Sequence, residues 1–148
     1  MEGVAGVVTD AQLGPDGFGW RHACDLYCNE VLAVIQELRE AGATDITVSD
    51  SHGTGLNLPI ERMPRGVRLV QSWPRRLGMM EGIDDSFDGA ILLGYHSGSH
   101  NPRGVRAHTM SSANLFELTL NDKLVCEAEL SAYLAGHFGV PILMVSGA

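Results

Sequence analysis

Apolar and polar positions along the chain follow two alternating periods. From about Trp20 to Arg39, Tyr27, Val31, Val34, Ile35 and Leu38 recur at the spacing of one helix face, and Ala41-Gly42 closes the pattern; a crossover helix is predicted there. Ile46-Thr47-Val48-Ser49, Val67-Arg68-Leu69-Val70 and Ala90-Ile91-Leu92-Leu93 are short β-branched or aliphatic runs, the lengths expected of strands in a buried parallel sheet. Leu115 to Leu120 alternates with period two, and Asn121-Asp122 followed by Lys123-Leu124-Val125 predicts a hairpin turn into a return strand. A second helix is predicted from about Glu127 to Phe138, ended by Gly139, before a last strand from Pro141 to Val145. The pattern predicts an α/β fold: a mostly parallel sheet flanked by helices, with one β-hairpin. No linker, repeat or low-complexity tract interrupts it, so residues 1–148 are expected to form a single domain.

Charge and composition narrow the function. With 10 Lys+Arg against 18 Asp+Glu the formal net charge is −8. That balance argues against nucleic-acid or anionic-membrane partners, which need a cationic footprint. No apolar run approaches the length of a membrane span, and no basic region precedes an apolar stretch at the N-terminus. Only 3 cysteines are present, a sparse usage that suits a reducing cytoplasm. Arg62, Arg65, Arg68, Arg75 and Arg76 hold half of the basic residues, yet no Gly-rich phosphate-cradling pattern follows a strand; a solvated loop face or a subunit contact is the reading preferred. The 6 histidines make metal or acid–base chemistry worth tracing.

In an open α/β sheet, ligands bind beyond the carboxyl ends of the strands. His52 in Ser49-Asp50-Ser51-His52-Gly53 and His96 in Gly94-Tyr95-His96-Ser97-Gly98 both occupy that position. Each alone also reads as a loop histidine bonded to backbone. Their parallel placement favours two imidazoles presented as metal ligands, with glycines letting the backbone turn. Glu127 adds a carboxylate. On the predicted helix Leu134 and Phe138 lie within roughly 20° of its direction and Leu130 roughly 60° away, so it is expected on the apolar face, whereas Glu129 projects to the opposite side. First-turn charge placement explains an acid there but not its inward direction, because a buried carboxylate needs a cation, a metal or hydrogen bonds. His108 follows in a loop, as either a general acid–base or an exposed polar residue. His22, Cys24 and Cys28 lack a second pair to complete a structural zinc site, so the thiols read as packing groups. His100 and His137 read as a loop residue and a helix-end residue.

Met1-Glu2-Gly3, Asp50-Ser51-His52-Gly53, Gly94-Tyr95-His96, Ala107-His108-Thr109 and Cys126-Glu127, followed by Ala135-Gly136-His137-Phe138-Gly139-Val140-Pro141, together resemble the DppA-type zinc D-aminopeptidase family. The resemblance runs in order over essentially the whole chain. It implies a two-zinc metallopeptidase that cleaves N-terminal D-amino acids from short peptides and assembles as a ring-like homo-oligomer. By the same resemblance Glu2, His52, His96 and Glu127 are metal ligands, and His108 matches the histidine that assists catalysis. In the family pattern an opening strand carries an Asp two residues before the ligand Glu, where this chain has Met1 directly before Glu2, and family members continue past Ser146-Gly147-Ala148. Relative to that pattern the catalytic domain is expected to be incomplete at both ends. Cys126 also stands where a glycine is often found.

The chemistry implied is metal-assisted amide hydrolysis, with zinc ions roughly 3.5–4 Å apart polarising the scissile carbonyl and activating a water. His108 would then move a proton to the leaving amine or stabilise the developing oxyanion. Two alternatives accompany this expectation: another amidase or esterase activity on the same centre, and a catalytically silent fragment serving as an assembly module.

Overall fold

Residues Met1–Ala148 are all described in the structure, a computed structural model. In chain order the regular elements are α1 (Trp20–Glu40), β1 (Ile46–Ser49), β2 (Val67–Val70), β3 (Ala90–Tyr95), β4 (Thr119–Leu120), β5 (Lys123–Leu124), α2 (Glu127–His137) and β6 (Ile142–Gly147). β1 pairs with β2 and β3 with β6, both in parallel, and β4–β5 is an antiparallel hairpin. This is the predicted α/β architecture. Its contacts divide the chain into two compact units, Thr9–Gly82 and Met1–Val8 with Ile83–Ala148.

In the Thr9–Gly82 unit, α1 buries Ala23, Cys24, Tyr27, Cys28, Val31 and Ile35 along one stripe. Cys24 and Cys28 are free thiols inside that stripe, as packing groups would be. The helix stops where Gly42 takes φ +97° and the Ala43 amide returns to the Leu38 carbonyl at 2.9 Å, a left-handed cap that satisfies an end carbonyl. Three arginines of the basic cluster have local partners. Arg62 reaches Asp25 and Asn29, Arg68 reaches Thr47 and Asp45, and Arg75 reaches Ser49 and three backbone carbonyls, those of Ser72, Asp50 and Val70.

In the other unit, β3 runs two residues beyond its predicted end and carries a register irregularity against β6 between Leu92 and Tyr95. Gly94 sits in that irregularity at φ +71°, a left-handed conformation that a side chain would resist. The N-terminal segment lies against the same place. Gly3 donates to the Gly94 carbonyl at 3.1 Å, and Met1, Val4 and Val7 are buried. The predicted strand over Leu115–Leu120 shrinks to Thr119–Leu120. The Leu115 amide turns back to the Ser111 carbonyl at 2.9 Å and Phe116 is exposed, because alternation alone supplies no neighbouring strand to complete a ladder. The turn itself is as predicted, with Asn121 and Asp122 both at positive φ, 50° and 61°. No helix is long and apolar enough to cross a membrane.

Candidate metal centre

Three features of the Met1–Val8/Ile83–Ala148 unit converge at the carboxyl end of β3. The bulge in β3 ends the strand at Tyr95 and presents His96 as the next residue. The N-terminal segment brings Glu2 alongside, and α2 contributes Glu127 from its first position. Glu2, His96 and Glu127 are each only 8% exposed. One donor atom from each of Glu2, His96 and His108 falls within 4.8 Å of the others. Glu127 Oε1 closes the group, 3.3 Å from His96 Nε2 and 3.8 Å from His108 Nε2. The His96 and His108 rings stack with centroids 3.8 Å apart.

Backbone carbonyls decide which nitrogen of each ring faces inward. His96 Nδ1 lies 3.1 Å from the Ser97 carbonyl and His108 Nδ1 2.7 Å from the Arg106 carbonyl. A carbonyl only accepts, so each Nδ1 carries a hydrogen and donates it. The Nε2 atoms are left to point at the carboxylates. The Ser97 carbonyl also accepts the His108 amide at 3.1 Å, so one peptide group orients both histidines. Such outer hydrogen bonds are the usual support for a metal-ligating imidazole.

Electrostatics at the centre are strongly coupled. Burial works against protonating His96, but its bond to Glu127, the Ser97 carbonyl and the charges of Glu127 and Glu2 outweigh it and hold the ring above the ordinary value of 6.5. Glu127 is the converse: burial favours its neutral form, and the His96 bond and charge, the Met110 amide and His108 hold it below 4.5. The Met110 amide reaches Glu127 Oε1 at 2.6 Å. Two carboxylates set beside two imidazole nitrogens out of water call for positive charge. A divalent transition metal, which accepts mixed nitrogen and oxygen donors, would satisfy that need through the available lone pairs. The donor set fits such an ion.

Glu127 points inward as its helical position predicts, but along a different stripe. The buried line of α2 is Glu127, Ser131 and Ala135, while Leu134 and Phe138 lie outside it. The cause is close approach: the Tyr95 hydroxyl and Ser131 Oγ share a hydrogen bond at 2.9 Å, and small residues let α2 lie against β3. Glu129 faces away, accepting from Lys123 Nζ at 2.6 Å and from the Cys126 amide at 2.9 Å.

His52 belongs to the Thr9–Gly82 unit. Its Nε2 lies 2.8 Å from the Leu13 carbonyl and therefore donates to it. The turn carrying it is held from below by Asp50, which is fully buried. Asp50 Oδ2 accepts the amides of Asn57 and Leu58 at 2.6 and 2.8 Å and Gln71 Nε2 at 3.1 Å. Sequence reasoning passed over Asp50, Asn57, Ser97 and Met110. A Gly-rich turn opening on Asp50 and followed by Asn57-Leu58 is the one signal that could have flagged the first two; the others act through backbone groups that any residue supplies. His100 lies in a turn 3.8 Å from Glu117, apart from the cluster's donor group.

A parallel α/β frame whose strand ends carry a buried histidine–carboxylate centre defines the class: α/β proteins with a donor set suited to a divalent metal. The chain belongs to the M55 peptidase family, the D-aminopeptidases, whose pattern it matches over residues 1–148. A D-aminopeptidase of Bacillus subtilis strain 168 is 34% identical over 147 residues, which is 99% of this chain and 53% of that protein. Among solved structures, the Zn-dependent D-aminopeptidase DppA from Bacillus subtilis, described as a self-compartmentalizing protease, matches with a TM-score of 0.95 at 34% identity over 99% of this chain and 53% of its own. The chain thus spans about half the length of these relatives.

Proposed function

We propose that the chain carries the catalytic centre of a zinc-dependent aminopeptidase that removes N-terminal D-amino acids from short peptides. The observation that carries the reading is the group formed by buried Glu2, His96 and Glu127 with half-buried His108, both Nε2 atoms turned toward the carboxylates by Nδ1–H bonds to backbone. Membership of a family whose characterised relative is a Zn-dependent D-aminopeptidase supports the metal and the reaction. In this reading Glu2, His52, His96 and Glu127 hold zinc, as two ions. When bound, zinc supplies Lewis-acid polarisation of a peptide carbonyl and a lowered pKa for water.

The chain's own groups do the rest. His108 Nε2, 3.9 Å from Glu2 Oε1 and 3.8 Å from Glu127 Oε1, is a base whose opposite nitrogen is anchored; it can take a proton and return it to a leaving amine without rotating. The stacked His96 ring and the Arg106 carbonyl on Nδ1 restrict the His108 ring to one plane, which is the preorganisation proton transfer needs. The self-compartmentalizing relative supports a homo-oligomer as the working form, and the three free cysteines suit a cytoplasmic setting.

Zinc titration with metal stoichiometry, run beside hydrolysis of D-Ala-D-Ala and L-Ala-L-Ala, tests the proposal. Zinc uptake should be lost or weakened by at least about 10-fold in His96→Ala and His52→Ala, and the D-peptide should be the one cleaved. Uptake indifferent to His96→Ala would remove the site assignment. Preference for the L-peptide would remove the stereochemical claim and leave a metal hydrolase.

A further inference from the structure

Met110 stands beside the metal centre in a backbone conformation that favours glycine. Its amide nitrogen lies 2.6 Å from Glu127 Oε1, the oxygen that also faces His96 Nε2 at 3.3 Å and His108 Nε2 at 3.8 Å. With an N–Cα bond of about 1.46 Å, the Met110 Cα is at most about 4 Å from that oxygen. The backbone there takes φ +63°, and of the residues other than glycine at positive φ, Met110 is the one with an apolar side chain. The Ser111 amide donates to the Thr109 carbonyl at 2.7 Å, closing a three-residue turn across Met110. A turn of that size with positive φ at its centre is rare and strained. Two anchors keep it: the Met110 amide is held by Glu127, and Thr109 is buried with Oγ1 accepting the Ser99 amide at 3.2 Å.

Neither packing nor the bond to Glu127 accounts for a methionine at this position. Met110 is 57% exposed, so its thioether gains little from burial, while the backbone carries strain that a glycine would not. Any residue except proline supplies the amide that Glu127 accepts. What remains is contact between the side chain and something that binds at the centre. We propose that Met110 is a specificity-determining residue, whose side chain forms an apolar contact for the side chain of the peptide's N-terminal residue. The proposal rests on the reading of this centre as that of an aminopeptidase. In that reaction the Cα of the N-terminal residue is bonded to the scissile carbonyl carbon, so its side chain lies next to the reacting group, and Met110 stands next to the residues assigned to that group. A flexible, polarizable thioether adapts to aliphatic side chains of different outline. The substrates favoured are therefore peptides that open with a residue such as leucine over those that open with alanine.

Leucine hydroxamate and alanine hydroxamate, in D and L forms, each combine a free amine, a metal-binding group and one side chain. Their affinities for the zinc-loaded chain therefore read the contact without turnover. The parent should bind the leucine compound about 10-fold more tightly than the alanine compound, and Met110→Ser should remove most of that ratio with zinc uptake retained. Met110→Leu should restore it. The same preference should appear in kcat/KM for D-Leu-D-Ala against D-Ala-D-Ala. Met110→Gly separates contact from packing. Relief of the backbone strain offsets the little burial lost, so its denaturant midpoint should stay close to the parent's while the ratio falls as in the serine variant. A leucine-to-alanine ratio indifferent to both substitutions overturns the proposal. So does a Met110→Gly chain that unfolds at clearly lower denaturant, which would make the side chain a packing group. Failure of the aminopeptidase reading looks different: the hydroxamate ratio then depends on Met110 while no peptide is cleaved. A parent chain that takes up zinc and binds none of the hydroxamates overturns both.

Discussion

At the scale of single residues, direction mattered more than identity. His96 and His108 are ordinary imidazoles until the Ser97 and Arg106 carbonyls take their Nδ1 hydrogens and turn both Nε2 atoms toward Glu2 and Glu127. The histidines and Glu127 were legible in the sequence because their types are few and their positions follow strand ends or a helix face. Their orienting partners are peptide groups, which leave no trace in residue type. Cys24 shows the same dependence on surroundings. Burial, then the charges of Asp50, Asp25 and Cys28, push its thiol up to about 11 from an ordinary 9.0. Cys28 shifts the same way, through burial first. The unfolded chain releases these protons at lower pH than the folded one, so the stabilising contribution is complete below pH 9 and lost as pH rises toward about 11. Denaturant midpoints should therefore fall across that window, and less steeply in Cys24→Ala; an unchanged slope in the variant would place the loss elsewhere.

At the scale of elements, glycine governs how the centre is assembled. A Cβ placed on Gly3 would fall on the Tyr95 carbonyl, and one on Gly94 would meet Val4 Cγ2 at 2.9 Å. The segment carrying Glu2 can lie on the end of β3 only because both positions lack side chains. Gly3→Ala should lift that segment and carry Glu2 away from His96 and His108, with zinc affinity falling by roughly 10-fold or more. Gly136→Ala, where a new methyl meets nothing within 4 Å, is the matched control and should leave affinity unchanged. Equal affinity in Gly3→Ala and the parent would show that Glu2 does not hold the metal. The boundaries of β1 and β2 were readable as predicted because β-branched runs bounded by polar residues have few alternatives. The Leu115–Leu118 pattern was misleading for the opposite reason: alternation states which face could be buried, and a ladder needs a neighbour that local sequence does not name.

At the scale of the whole molecule, an acidic chain of net charge −8 buries Glu2 and Glu127 together, where a cation can offset them. A ligand that binds only the folded state stabilises it by about 2.7 kcal/mol at one hundred times its Kd. For a chain of this size that corresponds to a rise in Tm of roughly 5–10 °C. Zinc should produce such a shift in the parent chain, calcium a much smaller one because imidazole donors suit transition metals, and His96→Ala should abolish the zinc shift. A thermal scan with equal concentrations of each ion makes the comparison, and an equal response to both would show a merely electrostatic site.

Local sequence accounts for the alternation of helix and strand, the hairpin turn at Asn121-Asp122 and the short list of groups able to hold a metal. These follow from periodicity, from backbone preferences and from side-chain chemistry, all of which are local. Tertiary structure alone decided that Glu2 meets His96, that Ser131 rather than Leu134 faces the sheet, and which nitrogen of His96 and of His108 turns to the carboxylates. Those outcomes depend on backbone carbonyls and close approaches between residues far apart in the chain, and a buried group takes its hydrogen bonds from whatever the fold sets beside it.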